Sequence, residues 1–356
     1  MTNDVFKGPS NYNIVDSIQS KNYGGVHIFH CKQSQLTAII AIHSTKRGPA
    51  IGGCRCLEYS DTNSAIEDAI NLGRAMSYKA AIHDLPHGGG KSVLIKPKNI
   101  HNRQAYFHKF AEYVNQMSGK YITSVDSGTS TTDMNYVLEK TEFVLGYNRQ
   151  EEHYSNDPSV LTAKGVKHAI SAAVSHKLGS DLKGITVAIQ GAGNVGSILC
   201  ELLIKSGAKV KISDIDQSKV NALVEKHQVE AISNSDIIST ECDVLAPCAL
   251  GGVINEESIG NLRCKIICGA ANNQLSDSMI AESLHKMGIL YVPDYLANGG
   301  GLIFVASNYI GDTDGVMLSK IDAMHERVKN ILSIASSEHK SVLEVCNRLA
   351  LENIER

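Results

Sequence analysis

Residues 185–216 read ITVAIQGAGNVGSILCELLIKSGAKVKISDID. The opening run, 185–189, is apolar and rich in β-branched residues, the pattern of a buried strand. Gly191, Gly193 and Gly196 follow as G-x-G-x-x-G. Ile198, Leu199, Leu202 and Leu203 then recur at helical spacing, Gly207 closes that helix, and a second apolar run ends at Asp214. Each piece has a task in holding a dinucleotide. Gly191 permits a tight turn, Gly193 lets backbone approach a pyrophosphate, and Gly196 lets the helix pack on its strand. The helix start at Asn194 and Val195 offers free N–H groups and a positive dipole end to phosphates. Asp214 stands where a carboxylate grips an adenosine ribose 2′-OH and repels a 2′-phosphate, so the expected cofactor is NAD rather than NADP. An ordinary glycine turn would not account for the strand, helix and acid together.

The rest of the 356 residues is long enough for two domains with sizeable cores. With 43% hydrophobic and 20% charged residues it has the make-up of a soluble globular protein. A net charge of −3 argues against a nucleic-acid or membrane partner. The first 17 residues lack the apolar segment of a signal peptide, and no uncharged apolar run has the length of a membrane span. Nine cysteines, an odd number without a C-x-x-C pair and mostly in apolar contexts, point to reduced thiols and a cytoplasmic protein. Histidine spacing makes no metal site: His27 and His30 fall on opposite faces of a strand-like run, and Pro86 interrupts His83 and His87.

Along the chain, residues 26–29 and 36–42 are the best early strands, and 47–55 reads as a glycine-rich link in which Gly52 and Gly53 permit close approach. A helix starts after Ser60-Asp61 with a stripe Ala65, Ala69, Leu72, Met76. The next position on that stripe is Lys79, out of place on a core-facing side unless it snorkels or has a function. Gly88-Gly89-Gly90-Lys91 stands before a strand-like run, and close approach of a ligand is the economical reason for three glycines. The fragment GKS is not a phosphate loop: Leu85 occupies the required glycine position, and a strand rather than a helix follows. Residues 101–119 read as a helix with Tyr106, Phe110, Tyr113 and Met117 facing the core, and 121–125 as a strand with Asp126 at its end. Such strand ends favour catalytic acids, although an Asx-turn is the plainer role. A polar linker at 147–158 marks a domain boundary, a helix is expected over 163–178, and the last 40 or so residues read as helices.

Taken together, these segments resemble the glutamate/leucine/phenylalanine/valine amino-acid dehydrogenases, most closely the leucine dehydrogenases. The resemblance rests on GPAIGG-x-R at 48–55, MSYKAA at 76–81, GGGKS at 88–92, YITSVDSGT at 121–129, GAGNVG at 191–196, ECDVLAPCALGG at 241–252, GAANNQL at 269–275 and PDYLANGGGLI at 293–303. It implies an α/β protein of two domains with a cleft between them. An α/β substrate domain over 1–147 would be completed by C-terminal helices from about 331–356, and a Rossmann-like NAD-binding domain would span 148–330. By resemblance, Lys79 holds the substrate α-carboxylate, Lys91 is the catalytic lysine, and Asp126 handles protons at the substrate nitrogen. Thr162, Asn272 and Asn298 lie around the nicotinamide, Ala270 falls in the same cofactor segment, and the backbone of Gly52 and Gly53 lies near substrate. Homo-oligomers are the family's habit.

The chemistry implied is oxidative deamination of an L-amino acid to its 2-oxo acid and ammonia, run in either direction. Lys91 must be neutral to activate water, so its pKa must fall from about 10.4 toward 7–8, helped by Lys79 and by desolvation. Where glutamate dehydrogenases carry a lysine for the side-chain carboxylate, this chain has Ile51, and the rest of the implied pocket is Met76, Ser124, Leu302 and Val305. An apolar substrate is expected, leucine or another branched-chain acid first. Ser124 and Phe304 depart from the leucine-dehydrogenase pattern and keep phenylalanine or tryptophan as alternatives. A catalytically silent NAD-binding module would have lost Lys79, Lys91 or Asp126, and all three are present.

Overall fold

A computed structural model describes residues 14–20, 23–147, 157–249 and 251–356. Residues 1–13 and most of the polar linker, 148–156, lie outside the described residues. The chain divides into two compact units, one of Met1–Glu152 with Ala350–Arg356 and one of His153–Leu349.

In the first unit the described elements run α1 (Ile14–Ser20), β1 (Gly25–Cys31), β2 (Leu36–Ser44), β3 (Ala50–Leu57), α2 (Thr62–Ile82), β4 (Gly88–Ile95), α3 (Arg103–Gln116), β5 (Tyr121–Val125) and α4 (Thr131–Leu138). The strands form one mixed sheet in the order β1-β2-β4-β3-β5, with β3 parallel to both β4 and β5. Strand β2 is apolar from Ala38 to Ile42 because both of its faces are covered there. Its Leu36, Ala38, Ile40 and Ile42 join the aromatic stripe of α3 (Tyr106, Phe107, Phe110, Tyr113), as the periodicity of that helix predicts. Ile39 and Ala41 face the other way, onto Ala65, Ile66, Ala69 and Ile70 of α2.

Two readings of this region change. The glycine-rich link around Gly52 and Gly53 is the middle of β3, and Gly88-Gly89-Gly90-Lys91 begins β4 rather than preceding it. The three glycines answer to packing instead of a ligand. A Cβ on Gly88 would lie 1.8 Å from the Ser44 carbonyl oxygen, and one on Gly89 would lie 2.0 Å from the backbone nitrogen of Ser77 in α2. One on Gly90 would sit 3.0 Å from both the Ala41 carbonyl and the Tyr121 ring.

The second unit runs α5 (Pro158–Leu178), β6 (Thr186–Gln190), α6 (Asn194–Lys205), β7 (Lys209–Ser213), α7 (Gln217–His227), β8 (Glu230–Ala231), β9 (Val244–Pro247), α8 (Glu256–Ile259), β10 (Ile266–Ile267), α9 (Met279–Lys286) and β11 (Leu290–Tyr291). It finishes with α10 (Asp294–Ala297), α11 (Gly300–Ile310), α12 (Asp314–Asp322), α13 (Met324–Glu338) and the first half of α14 (Val342–Glu355), whose residues from Ala350 on belong to the first unit. Its six strands are all parallel in the order β11-β10-β9-β6-β7-β8. Counted from β6, that is the doubly wound 3-2-1-4-5-6 order of dinucleotide-binding sheets, with the reversal between β6 and β9. Helix α5 buries residues on nearly all sides, from Leu161 to Val174, and α6, α11 and α13 pack against it. It starts earlier than expected: Asp157 caps it and Pro158 takes its first position, where a missing N–H costs nothing.

The return to the first unit also comes later than 331. Helix α13 packs on α5, and only Ala350–Arg356 belongs with the first unit. There Arg47 Nη1 donates to the Asn353 carbonyl (2.9 Å), Asn353 Nδ2 donates to the Ala81 carbonyl (3.2 Å), and Lys46 pairs with Glu355. Among the described residues no helix is long and apolar enough to cross a membrane.

Candidate active site

Alternation along the strands of the first sheet sorts the candidate residues. Ala50, Cys54 and Cys56 of β3, Leu94 of β4 and Tyr121 of β5 belong to the aromatic core on the α3 side. Ile51, Gly53 and Arg55, together with Lys91 and Ser124, therefore turn to the α2 side. Asp126, just beyond β5, reaches the same place: its Oδ2 is in contact with Lys91 Nζ. Gly53 makes room for it, since a Cβ there would sit 2.7 Å from Asp126 Cβ and 2.8 Å from Oδ2. Gly52 answers to a different neighbour, with a Cβ that would fall 1.8 Å from the Gly90 carbonyl oxygen. The three strands are tied by Tyr121, whose hydroxyl donates to the Gly52 carbonyl (2.8 Å) and to Ser92 Oγ (3.0 Å).

Asp126 also shapes the turn in which it stands, though through its adjacent residue rather than as the Asx-turn foreseen for it, and Ser130 is the cap of the helix that follows. Its side chain accepts the Ser127 N–H, and its own N–H donates to Thr129 Oγ1 (2.9 Å). Thr129 Oγ1 in turn donates to the Cys54 carbonyl (2.9 Å), so the turn is fastened to β3.

Helix α2 supplies Met76 and Lys79, both half-buried. Its buried face runs through Ile66, Ile70, Gly73, Ser77 and Ala80, further round than the stripe read from the sequence. Lys79 thus stands on the flank of the core face. Ile51 is buried and Ser124 nearly so, beside the same group of charges.

Lys91 is only 4% exposed. Burial brings its pKa down to about 7, and the Arg55 guanidinium adds to the fall. Asp68 and Cys54 oppose it, and Lys79 contributes a smaller push in the same direction as Arg55. The second cation expected at the site is therefore chiefly Arg55, with Lys79 behind it. Sequence reasoning quoted Arg55 inside GPAIGG-x-R and gave it no role. The available signal was its spacing, two residues beyond Gly53 on the same strand face. Arg55 Nη1 donates to both oxygens of Asp68 (3.2 and 3.0 Å), Tyr59 donates to Asp68 Oδ2 (2.6 Å), and Arg55 Nε lies 3.9 Å from Asp126 Oδ1.

The remaining candidates belong to the second unit. Gly191 adopts φ +108°, the tight turn, and a Cβ on Gly196 would fall 1.9 Å from the Gly191 carbonyl oxygen, so helix and strand do pack closely. Gly193 has nothing within 4 Å of its missing side chain, and α6, which starts Asn194-Val195, has no side-chain cap. Asp214 follows β7 and holds the loop: its Oδ2 accepts the Ala192 N–H (2.7 Å) and its Oδ1 that of Asp216 (2.8 Å). Asn298 is buried and donates from Nδ2 to the Ala270 carbonyl (3.0 Å) and to Asn272 Oδ1 (2.8 Å), which gathers three of the expected residues. Thr162 Oγ1 would be 2.9 Å from a Cβ on Gly301, at the start of the helix that carries Leu302 and Val305.

One unit holds a buried lysine in contact with a carboxylate, and the other holds a dinucleotide-type glycine loop. The chain matches the family description Glu/Leu/Phe/Val dehydrogenase, dimerisation domain, over residues 26–143. It matches Glutamate/Leucine/Phenylalanine/Valine dehydrogenase over 155–220 and 210–355. The leucine dehydrogenase of Geobacillus stearothermophilus is 39% identical over 339 residues, covering 95% of this chain and 92% of that protein. The phenylalanine dehydrogenase of Thermoactinomyces intermedius is 37% identical over 339 residues, 94% and 92% of the two chains. The crystal structure of L-tryptophan dehydrogenase from Nostoc punctiforme superposes with a TM-score of 0.85 at 33% identity, covering 96% of this chain and 98% of that one. The chain belongs to the glutamate/leucine/phenylalanine/valine dehydrogenase family, as its motifs lead one to expect. It is an enzyme, an amino-acid dehydrogenase similar to the leucine dehydrogenases.

Proposed function

We propose that the protein catalyses the reversible NAD-dependent oxidative deamination of an apolar L-amino acid, leucine or another branched-chain acid first, to its 2-oxo acid and ammonia. The observation that carries this reading is Lys91, buried and in contact with Asp126. NAD suits the second unit: the open side of Gly193 and the uncapped start of α6 (Asn194, Val195) would take the pyrophosphate. The Asp214 carboxylate would hold the ribose diol and repel a 2′-phosphate. Thr162, Ala270 and Asn272 would flank the nicotinamide. Bound there, NAD would take the α-hydrogen of the substrate as hydride.

The protein's own residues do the rest. Lys79 anchors the α-carboxylate, with the backbone of Gly52 and Gly53 beside the substrate and Asn298 near its reacting end. Loss of hydride leaves an iminium carbon, and water adds to it as neutral Lys91 Nζ takes the water proton. Asp126, in contact with Lys91, passes that proton on to the carbinolamine nitrogen; as the C–N bond breaks and ammonia leaves, Lys91, neutral again, takes the hydroxyl proton and the 2-oxo acid carbonyl forms.

Ile51 in place of a cation leaves an acidic side chain without a partner, which favours apolar substrates, and the other residues that the family resemblance implies for the substrate side chain, Met76, Ser124, Leu302 and Val305, are mostly apolar. Ser124 and Phe304 support the second reading, an aromatic substrate such as phenylalanine or tryptophan. A silent dinucleotide-binding module is disfavoured by the presence of Lys79, Lys91 and Asp126 together. We expect a homo-oligomer, as the family resemblance implies, working in the cytoplasm.

The test is NADH oxidation with ammonia and a panel of 4-methyl-2-oxopentanoate, phenylpyruvate, indolepyruvate and 2-oxoglutarate. Preference for the first supports a leucine dehydrogenase, and preference for an aromatic acid moves the substrate while keeping the chemistry. Turnover with 2-oxoglutarate above the others overturns the pocket reading. A chain that binds NADH and turns over none of them is the silent module.

A further inference from the structure

Asp126 has two carboxylate oxygens and two cationic neighbours. Oδ2 touches Lys91, while Oδ1 accepts the Ser127 N–H and lies 3.9 Å from Arg55 Nε. Arg55 is not a loose surface cation. Its Nη1 donates to both oxygens of Asp68, and Asp68 is itself held by the Tyr59 hydroxyl. Its Nε is buried and makes no hydrogen bond among the described residues, which leaves one donor of a fixed guanidinium directed at the proton-handling pair. We propose that Arg55 is a positioning residue of the deamination site, steadying Asp126 through its second oxygen and driving the shared proton off the Lys91–Asp126 pair. The inference rests on the deamination reading and assigns to it a residue with no role so far.

The charges around Lys91 make the direction of the effect plain. From β3 comes Arg55, with the Cys54 thiol; from α2 come Asp68 and Lys79; from the end of β5 comes Asp126; and the neighbouring β2 residue is the apolar Ala41. A fixed positive charge beside the pair disfavours the ammonium of Lys91 and favours the carboxylate of Asp126, so it lowers the proton affinity of both. Removing Arg55 leaves two carboxylates against Lys79, an excess of negative charge that keeps Lys91 protonated. The Lys91 pKa of about 7 agrees with the direction, since Arg55 is the largest contributor after burial. Asp68 has a double part: it anchors the guanidinium, and its own charge works against it.

The experiment compares the full-length protein with Arg55→Met and Arg55→Lys. One readout is the pH profile of kcat/KM for deamination; the other is an NMR titration of the lysine side chains labelled at Cε, with Lys91 assigned by its absence in Lys91→Ala. In Arg55→Met the acid limb and the Lys91 titration should both move up by about one pH unit, with NADH affinity unchanged. Arg55→Lys keeps the charge and should hold the limb close to that of the parent while lowering kcat, because a point charge cannot span Asp68 and Asp126 together. A uniform loss of activity with limb and titration both unmoved would overturn the proposal and leave Arg55 a structural clamp. Should Arg55→Met not fold, Arg55→Gln, which keeps N–H donors for Asp68, carries the same comparison. If the parent turns over no 2-oxo acid, the deamination reading fails on its own, and the Lys91 titration still decides whether Arg55 controls the proton.

Discussion

A lysine 4% exposed is expensive to keep charged, and Lys91 shows how the site uses that expense. Burial first and Arg55 second bring its pKa to about 7, so near neutral pH it exists in both protonation states. A base in deamination must be neutral, so kcat/KM for the amino acid should rise about tenfold per pH unit below 7 and level off above it. In the reverse direction the same group must deliver a proton, and amination should weaken as the pH climbs past that value. Lys91→Ala should lose at least about a thousandfold in kcat and the acid limb with it, while NADH titrates as tightly as in the parent. Turnover retained within tenfold would remove Lys91 from the base's role. By its position Asp126 was legible only as a residue at a strand end, and its proton-handling role came from the family resemblance. Its contact with Lys91 depends on β3 lying between their two strands and carrying a glycine where a side chain would collide.

At the scale of elements, glycines of the same type do different work. Gly196 brings α6 against the turn at Gly191, and an added methyl would fall well inside van der Waals contact distance of a carbonyl oxygen 1.9 Å away. Gly193 faces open space at φ −74°, a conformation alanine adopts freely. Gly196→Ala should therefore lower stability by about 3 kcal/mol, read as a fall in the urea midpoint. Gly193→Ala should leave the midpoint where it is and weaken NADH binding at least about tenfold. The reverse pattern would mean that Gly193 is structural and that the pyrophosphate lies elsewhere. The sequence named this loop correctly because all its constraints are local: a turn, a helix start and an acid within about 25 residues. It misread Gly88-Gly89-Gly90 for the opposite reason. What those residues avoid is the Ser44 carbonyl, the backbone of α2 and the Tyr121 ring, partners set by tertiary packing rather than by neighbours in the chain. The start of α5 was read late because Pro158 looks like the end of a linker, although proline is at ease in a helix's first position.

For the whole molecule, the described chain divides into a mixed-sheet unit and a parallel-sheet unit, and the proposed function gives each a distinct part of the chemistry. Light scattering behind a sizing column should give at least twice the 38.4 kDa of one chain, unchanged on dilution to about micromolar protein. A mass of one chain with full activity would show that the working enzyme needs no second copy. The C-terminal residues show the limit of reading order from sequence. Helical periodicity was plain over the last 40 residues, but nothing in it says that α13 stays on α5 while Ala350–Arg356 crosses to Arg47 and Ala81.

By itself the sequence determined the family and its amino-acid dehydrogenase chemistry, and it singled out the glycine loop and the two lysines that the proposed function uses. These are carried by residue types at short spacings, where local conformation and chemistry are enough. Tertiary structure alone decided which charges meet. Arg55, Lys91 and Asp126 come from three strands, Lys79 and Asp68 from a helix laid across them, and the distances between them follow from strand order and register. Coulomb energies and desolvation depend on those distances and on burial rather than on order along the chain. That is why Arg55 passed unnoticed in the sequence and stands beside Lys91 in the fold.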